Sequence, residues 1–266
     1  MAAVKPPFGA FLLDLDGTVY RGSDPITGAS AFVNRLKEAA VPHLFVTNRA
    51  NRTVDEVSAQ LNDLGVAAEN HEVLTSAQAT ARYLGQGSCY VIGEAGLLGP
   101  LEEEGLTLLP DGSTHCPDNV VVGYDRGITY QKLETAMRAI LAGARFIATN
   151  PDPIITTEQG VSPENGAIVA ALEAATGQRA EVIGKPERII VDQAVAQIAI
   201  PEADIVMLGD NLETDVAAAQ AAGTKSILIL TGVSTREDLA TSTHRPDWVV
   251  EDFDELTELV FGEWGA

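Results

Sequence analysis

Sulfur ligands, basic charge and long apolar runs are all scarce in this chain of 266 residues. Its two cysteines, Cys89 and Cys116, share neither CxxC spacing nor a nearby histidine pattern. That argues against a structural zinc site and leaves buried free thiols as the expectation. The four histidines are scattered and mark no site. No apolar run approaches the roughly 18 residues of a membrane span, and "MAAVKPPFGA" has no charged segment followed by a long apolar one. A soluble, unexported, cytoplasmic protein is expected, in which the Asn51-Arg52-Thr53 glycosylation pattern means little. Only 17 lysines and arginines face 38 aspartates and glutamates, a formal charge of −21. That excess repels nucleic acid and anionic membranes, so a phosphate-bearing ligand must meet a locally positive site. A high-salt habitat also fits the excess, beside the simpler reading of a soluble, mutually repulsive surface.

What is abundant is apolar residue content, 45% of the chain, which suits one large domain or a core with a smaller insert. Five short apolar runs read as core strands: "FLLDLD" at 11–16, "HLFVTN" at 43–48, "EVIGK" at 181–185, "IVMLGD" at 205–210 and "SILILTG" at 226–232. Runs this continuously apolar are expected of parallel strands buried on both faces. Helical stretches separate them. "GASAFVNRLKEAA" follows the first, and "TVDEVSAQLNDLG" follows the second, with Val54, Val57 and Leu61 on one face and Gly65 placed as a C-cap. The expected class is therefore α/β, with a doubly wound parallel sheet. The middle of the chain has strand and helix signals of its own in "SCYVIG", "DNVVVGYD", "TYQKLETAMRAILAG", "RFIATN" and "NGAIVAALEAATG". It reads as a second α/β domain inserted into the first, giving core residues 1–82, insert 83–179 and core 180–266.

In a parallel sheet, ligands bind beyond the carboxyl ends of the strands. Four of the five runs end there in residues suited to phosphate chemistry: Asp14 with Asp16, Thr47, Lys185 and Asp210. Phosphoryl transfer is mostly a matter of positioning and charge neutralisation. A carboxylate such as Asp14 can attack phosphorus, but its charge opposes the attack unless a divalent cation bridges the two. Asp14, Asp210 and a backbone carbonyl supply the hard oxygens that magnesium prefers. Asp16 is then free to protonate the leaving alkoxide and later to deprotonate water. Thr47 and the amide of Asn48 can donate to phosphate oxygens, and Lys185 adds positive charge, with Pro186 expected to open the following helix. Asp215 either supports the metal or Lys185 from behind, or is an ordinary acid of a first helical turn. Asn48 is alternatively a helix cap, and Asn150 and Asp152 in "TNPDP" either face the substrate or form a proline-rich turn. The glycines of "VIGEAGLLG" are spaced GxxGxxG rather than GxGxxG, which speaks against a dinucleotide site.

The sequence "DLDGT", then "VTN", then the lysine of "GKP", then "GDNLETD" resembles the four-motif signature of the haloacid dehalogenase (HAD) superfamily. An insert between the second and third motifs is that superfamily's C2-type cap arrangement. "VVVGYDRGITYQKLETAMRAILAGARFIATNPDPIITTEQG" and "LTGVSTREDL" are similar to its NagD-like, 4-nitrophenylphosphatase-like and phosphoglycolate or pyridoxal phosphatase-like members, over nearly the whole chain. The resemblance implies a Rossmann-like core with a C2-type cap, and a magnesium-dependent phosphatase acting on a small phosphorylated metabolite through an aspartyl-phosphate. Asp14 is implied as nucleophile and ligand, Asp16 as acid/base and ligand through its carbonyl, and Asp210 as the third ligand. Thr47, Asn48 and Lys185 are implied to hold phosphate, Gly17 to lend an amide from the mobile turn "GTVYRG", and the cap to mediate a homodimer. Arg49 stands where the subfamily often reads TNN, and Glu164 stands where the cap often has glycine. The alternatives are a phosphomutase or phosphotransferase, which needs both acids, a dehalogenase, which does not need Asp16, and a non-catalytic phosphate-binding protein.

Overall fold

Strands that are apolar on both faces need cover on both faces, and this chain supplies it by following its strands with helices. The computed structural model describes residues 8–157 and 160–262. The first seven residues, on which the expectation of no export signal rests, lie outside them. In chain order the strands are β1 (Ala10–Leu13), β2 (Tyr20–Arg21), β3 (Asp24–Pro25), β4 (His43–Thr47), β5 (Val73–Thr75), β6 (Ser88–Ile92), β7 (Thr107–Leu108) and β8 (Asn119–Val122). They continue as β9 (Arg145–Ala148), β10 (Ile154–Thr157), β11 (Gly160–Pro163), β12 (Glu181–Val182), β13 (Ile205–Gly209), β14 (Lys225–Ile229) and β15 (Trp248–Val250).

The contacts divide the chain into two units. The first holds the described residues up to Thr47, then Val57–Leu74, then those from Lys185 onward. Its sheet runs β15-β14-β13-β1-β4-β5, and β1 pairs in parallel with both β13 and β4. The chain builds outward from β1 in one direction through β4 and β5, and in the other through β13, β14 and β15. The strand order therefore reverses at β1 and β13, the place where doubly wound sheets bind ligands. Every residue of β1, β4 and β13 is buried. Helix Ala29–Glu38 buries Phe32, Val33 and Leu36, and helix Val54–Asp63 buries Val57 and Leu61 before Gly65 turns at φ 76°.

The second unit, Asn48–Glu56 with Thr75–Gly184, has its own parallel sheet in the order β12-β9-β8-β6-β7. Helix Tyr130–Leu141 lays Ala136, Ala139 and Ile140 against it, together with Val169 and Leu172 of helix Asn165–Thr176. β10 and β11 form a separate antiparallel hairpin.

The class is the expected one, and several particulars differ. "EVIGK" contributes β12 to the edge of the second sheet, not a strand of the first, because an apolar run specifies burial but not which sheet buries it. β5 and β15 complete the first sheet but are only three residues each, too short to stand out as runs. By its contacts the second unit takes Asn48–Glu56 and Thr75–Gly184, and within it helix Ser76–Leu84 packs on helix Ala95–Glu103. Pro186 does not open a helix: its peptide bond to Lys185 is cis, and the helix starts at Arg188. Of the two free thiols, Cys89 is buried as expected but Cys116 is exposed.

An aromatic cluster anchors the first unit. Phe32 meets Phe11 edge-on at 5.6 Å and also touches Phe253 at 5.6 Å and Phe261 at 6.0 Å. Removing this ring deletes buried area shared by three elements. Phe32→Ala should lower stability by about 3–5 kcal/mol in urea denaturation, and a loss below about 1 kcal/mol would show that the cluster is not an anchor.

Candidate active site

β1 and β13 end side by side, and each delivers an aspartate. The Asp14 N–H donates to the Leu208 carbonyl at 2.9 Å, extending the pairing one residue past the strand. Asp210 follows Gly209 at the end of β13, and both carboxylates are buried. Beyond Asp210 the chain makes a π-helical turn, Leu212–Val216, opened by Asn211, whose side chain accepts from the Glu213 N–H. Such wide turns are rare and are frequent at functional sites. Here the turn brings Asp215 back, so that its carboxylate accepts from the Asn211 N–H at 3.2 Å. The Lys185 ammonium, only 2% exposed, donates to Asp14 at 2.5 Å, to Asp215 at 2.7 Å and to the Val46 carbonyl at 3.2 Å. Thr47 lies buried at the end of β4, the strand on the other side of β1.

Glycines make the cluster sterically feasible. A Cβ at Gly17, where φ is +88°, or at Gly232 would run into the Asp210 carboxylate, and one at Gly209 would run into that of Asp215. The Gly17 N–H, expected to serve phosphate, instead donates to the Tyr20 carbonyl at 2.8 Å. What the position requires is the absence of a side chain. The strap 231–234 escaped the sequence reading as a site element: the Val233 N–H donates to the Asp210 carboxylate at 2.6 Å and the Ser234 N–H to its carbonyl at 3.0 Å. Its signal was available, since it follows the end of β14 on the same edge of the sheet. Asp16 is half-buried, and its carboxylate accepts from the Tyr20 hydroxyl at 3.5 Å.

Burial works against the charge of Lys185, but the carboxylates of Asp14 and Asp215 outweigh it, raising its pKa and keeping it protonated. Burial pushes the Asp210 carboxyl well above the usual range, and the carboxylates of Asp14 and Asp215 push the same way. Burial raises Asp215 as well, although the Lys185 ammonium opposes the rise. One ammonium thus faces three carboxylates. Asp14, Asp210 and Asp215 each offer an oxygen, and these atoms lie within 4.8 Å of one another. Hard oxygen donors without a soft one, crowded and short of positive charge, fit a hard divalent cation.

The remaining residues singled out in the sequence gather in the second unit. Thr53, not Asn48, caps helix Val54–Asp63, accepting from the Glu56 N–H at 3.2 Å. The Asn48 side-chain amide donates to Asp152 at 2.9 Å, and its carbonyl accepts from Asn150 at 2.7 Å and from the Ser76 hydroxyl at 2.6 Å. Asn150 also donates to Glu164 at 3.3 Å. Glu164, buried, caps helix Asn165–Thr176 by accepting from the Asn165 N–H at 2.6 Å, which gives a local reason for a glutamate here. Burial first, and the Asp152 charge second, push its carboxyl up to about 7, with Arg49 opposing.

With the geometry in place, comparison with known proteins identifies the class. A haloacid dehalogenase-like hydrolase model matches residues 11–107, and a second HAD-hydrolase-like model matches residues 182–256. The chain belongs to the HAD-like hydrolases and is an enzyme of their phosphatase group. It is 39% identical to an acid sugar phosphatase of Staphylococcus haemolyticus, over 92% of this chain and 94% of the relative. It is 40% identical to the 5'-nucleotidase YutF of Bacillus subtilis, over 95% of this chain and 98% of the relative. A glycerol phosphate phosphatase from Mycobacterium tuberculosis, solved in complex with magnesium, superposes with a TM-score of 0.89 at 36% identity, covering 95% of this chain and 78% of that one. Among the described residues no helix is long and apolar enough to cross a membrane.

Two outcomes follow from the charges. Lys185→Met leaves buried carboxylates uncompensated and should lower stability by about 3–5 kcal/mol in chelator-treated protein. An unchanged urea midpoint would remove Lys185 from the charge balance. Between its ordinary pKa and about 7, Glu164 holds its proton in the folded state but not in the unfolded one. The unfolded chain therefore binds fewer protons, and stability falls as pH rises through that window, by at most about 1.4 kcal/mol per unit. Glu164→Gln should flatten urea midpoints measured from pH 5 to 8, whereas parallel profiles for the two proteins would contradict the assignment.

Proposed function

We propose that the chain is a magnesium-dependent phosphomonoesterase that works through a phosphorylated Asp14. The observation that carries this reading is the buried cluster of Asp14, Asp210 and Asp215 around Lys185 at the sheet's switch point. Asp14 and Asp210, with the carbonyl of Asp16, hold the magnesium. When bound, the ion supplies the positive charge that lets an anionic carboxylate approach an anionic phosphate.

An Asp14 oxygen forms a bond to phosphorus as the bond from phosphorus to the ester oxygen breaks, and Asp16 gives its proton to that departing oxygen. Water then attacks phosphorus, Asp16 takes one of its protons, and phosphate leaves with Asp14 restored. Asp16 suits the task because its side chain is only half-buried, whereas Asp14 and Asp210 are buried. Thr47, the peptide N–H that follows it and Lys185 hold the phosphoryl oxygens. Lys185 reaches them with its charge fixed by Asp215, which therefore acts by orienting the lysine. The substrate is a small phosphorylated metabolite such as a sugar phosphate or a nucleoside monophosphate, in keeping with the names of the relatives. The need for an acid at Asp16 sets this reading apart from a dehalogenase.

Phosphate release from a panel of phosphomonoesters should require magnesium and be lost in Asp14→Asn. Full release after exhaustive chelation, or from the Asn variant with saturating magnesium, overturns the mechanism. Asp16→Ala should hurt esters with poor leaving groups far more than 4-nitrophenyl phosphate, because a good leaving group needs little protonation. Equal losses on both would take the proton from Asp16.

A further inference from the structure

Two of the four places where the chain passes between the units adjoin residues assigned to phosphate: it leaves the first unit after Thr47 and re-enters it at Lys185. Of the residues on the far side of those two peptide bonds, Asn48 is fixed by a polar network in the second unit and Gly184 by a backbone bond beside it. Asn150 donates to the Asn48 carbonyl at 2.7 Å, and its own side-chain oxygen accepts from the Asp152 N–H at 3.2 Å. The Asp152 carboxylate accepts from the Asn48 side chain at 2.9 Å, which closes a ring of three residues. Gly184 is held to the same place: its N–H donates to the Thr149 carbonyl at 2.9 Å. A Cβ there would lie 2.5 Å from that carbonyl oxygen and 2.6 Å from the Asn48 side-chain oxygen. Asn150 is 1% exposed, and Asn165 donates to its carbonyl at 2.7 Å, so its position is set by the packed interior of the unit.

We infer that Asn150, Asp152 and Asn48 form a positioning ring that fixes the backbone entering Thr47 and Lys185, so that both meet a phosphoryl group in register. The inference rests on the phosphate-binding role given to Thr47 and Lys185 above. Its physical basis is that a buried side chain bonded to backbone on both sides leaves that backbone few alternative conformations. A residue one peptide bond away inherits the constraint. Displacements of about 1 Å at such positions are enough to change rates by about a hundredfold. The three ring residues are positioning residues, because in this account none of their side chains touches the phosphoryl group.

The test compares Asp152→Ala with Asp152→Asn, which keeps an acceptor for the Asn48 amide, and uses Asn150→Ala as a second break in the ring. Inorganic phosphate is the probe, since it has no leaving group that a side chain of the second unit might recognise. Its affinity is read by calorimetry in the presence of magnesium, and the magnesium affinity is read separately. The ring predicts that Asp152→Ala and Asn150→Ala weaken phosphate binding by about tenfold while magnesium affinity stays within about twofold, and that Asp152→Asn recovers most of the loss. Phosphate affinity within about twofold of the unmodified protein in a folded Asp152→Ala variant overturns the inference. So does a parallel loss of phosphate and magnesium affinity, which marks general loosening. If Asn150→Ala does not fold, the two Asp152 variants make the comparison alone. Failure of the unmodified protein to release phosphate from any ester counts against the proposed function, whereas the ratio of phosphate affinities between variants bears on the ring.

Discussion

One buried ammonium organises the first unit's site. Lys185 sits between Asp14 and Asp215, carboxylates carried by segments far apart in sequence, and its charge is what permits both to be buried beside Asp210. Burying an ion without a partner is far more expensive than burying a pair, so the lysine and the acids require each other. The rest of the local architecture serves that constraint. β1 and β13 end together because the sheet reverses order between them, the π-helical turn brings Asp215 round to the lysine, and glycines 17, 209 and 232 leave room for the carboxylates. The balance is incomplete, with three acids to one lysine, and that deficit makes the site receptive to a divalent cation.

This also refines what the overall charge implies. A chain at −21 repels anions at long range, and the sequence alone calls for a locally positive site. The cluster itself is not that site, because its acids outnumber its one ammonium. In the proposed mechanism the positive charge facing a phosphate comes from Lys185 and a bound cation acting together. The overall acidity and the acidic cluster are therefore separate matters: one acts on charged partners at long range, the other offers oxygen donors to a cation.

Much of this was legible in the sequence because strand ends are legible. Apolar runs that stop at Asp14, Thr47 and Asp210 mark both the strands and the edge on which ligands bind, and the two longer helices of the second unit fall where their apolar spacing puts them. What escaped was information that resides in tertiary placement. Nothing in "EVIGK" says that its strand pairs with β9 while its lysine reaches Asp14. Three-residue strands such as Val73–Thr75 and Trp248–Val250 are set by neighbours rather than by their own pattern. The amide of Gly17 was assigned to phosphate from motif position alone, and local pairing with the Tyr20 carbonyl takes it. Asn48, Asn150 and Asp152 read in the sequence as separate cap, turn or substrate-facing candidates, because hydrogen bonds across about a hundred positions leave no trace in spacing.

The central claim is that Asp14 itself becomes phosphorylated. Rapid acid quenching during turnover of a good phosphomonoester, followed by peptide mass spectrometry, measures this directly. The account predicts one phosphoryl group on the peptide that carries Asp14, at that residue, and none in Asp14→Asn. Turnover with no phosphorylated peptide at the earliest quench times, or with the group on any other residue, would contradict it.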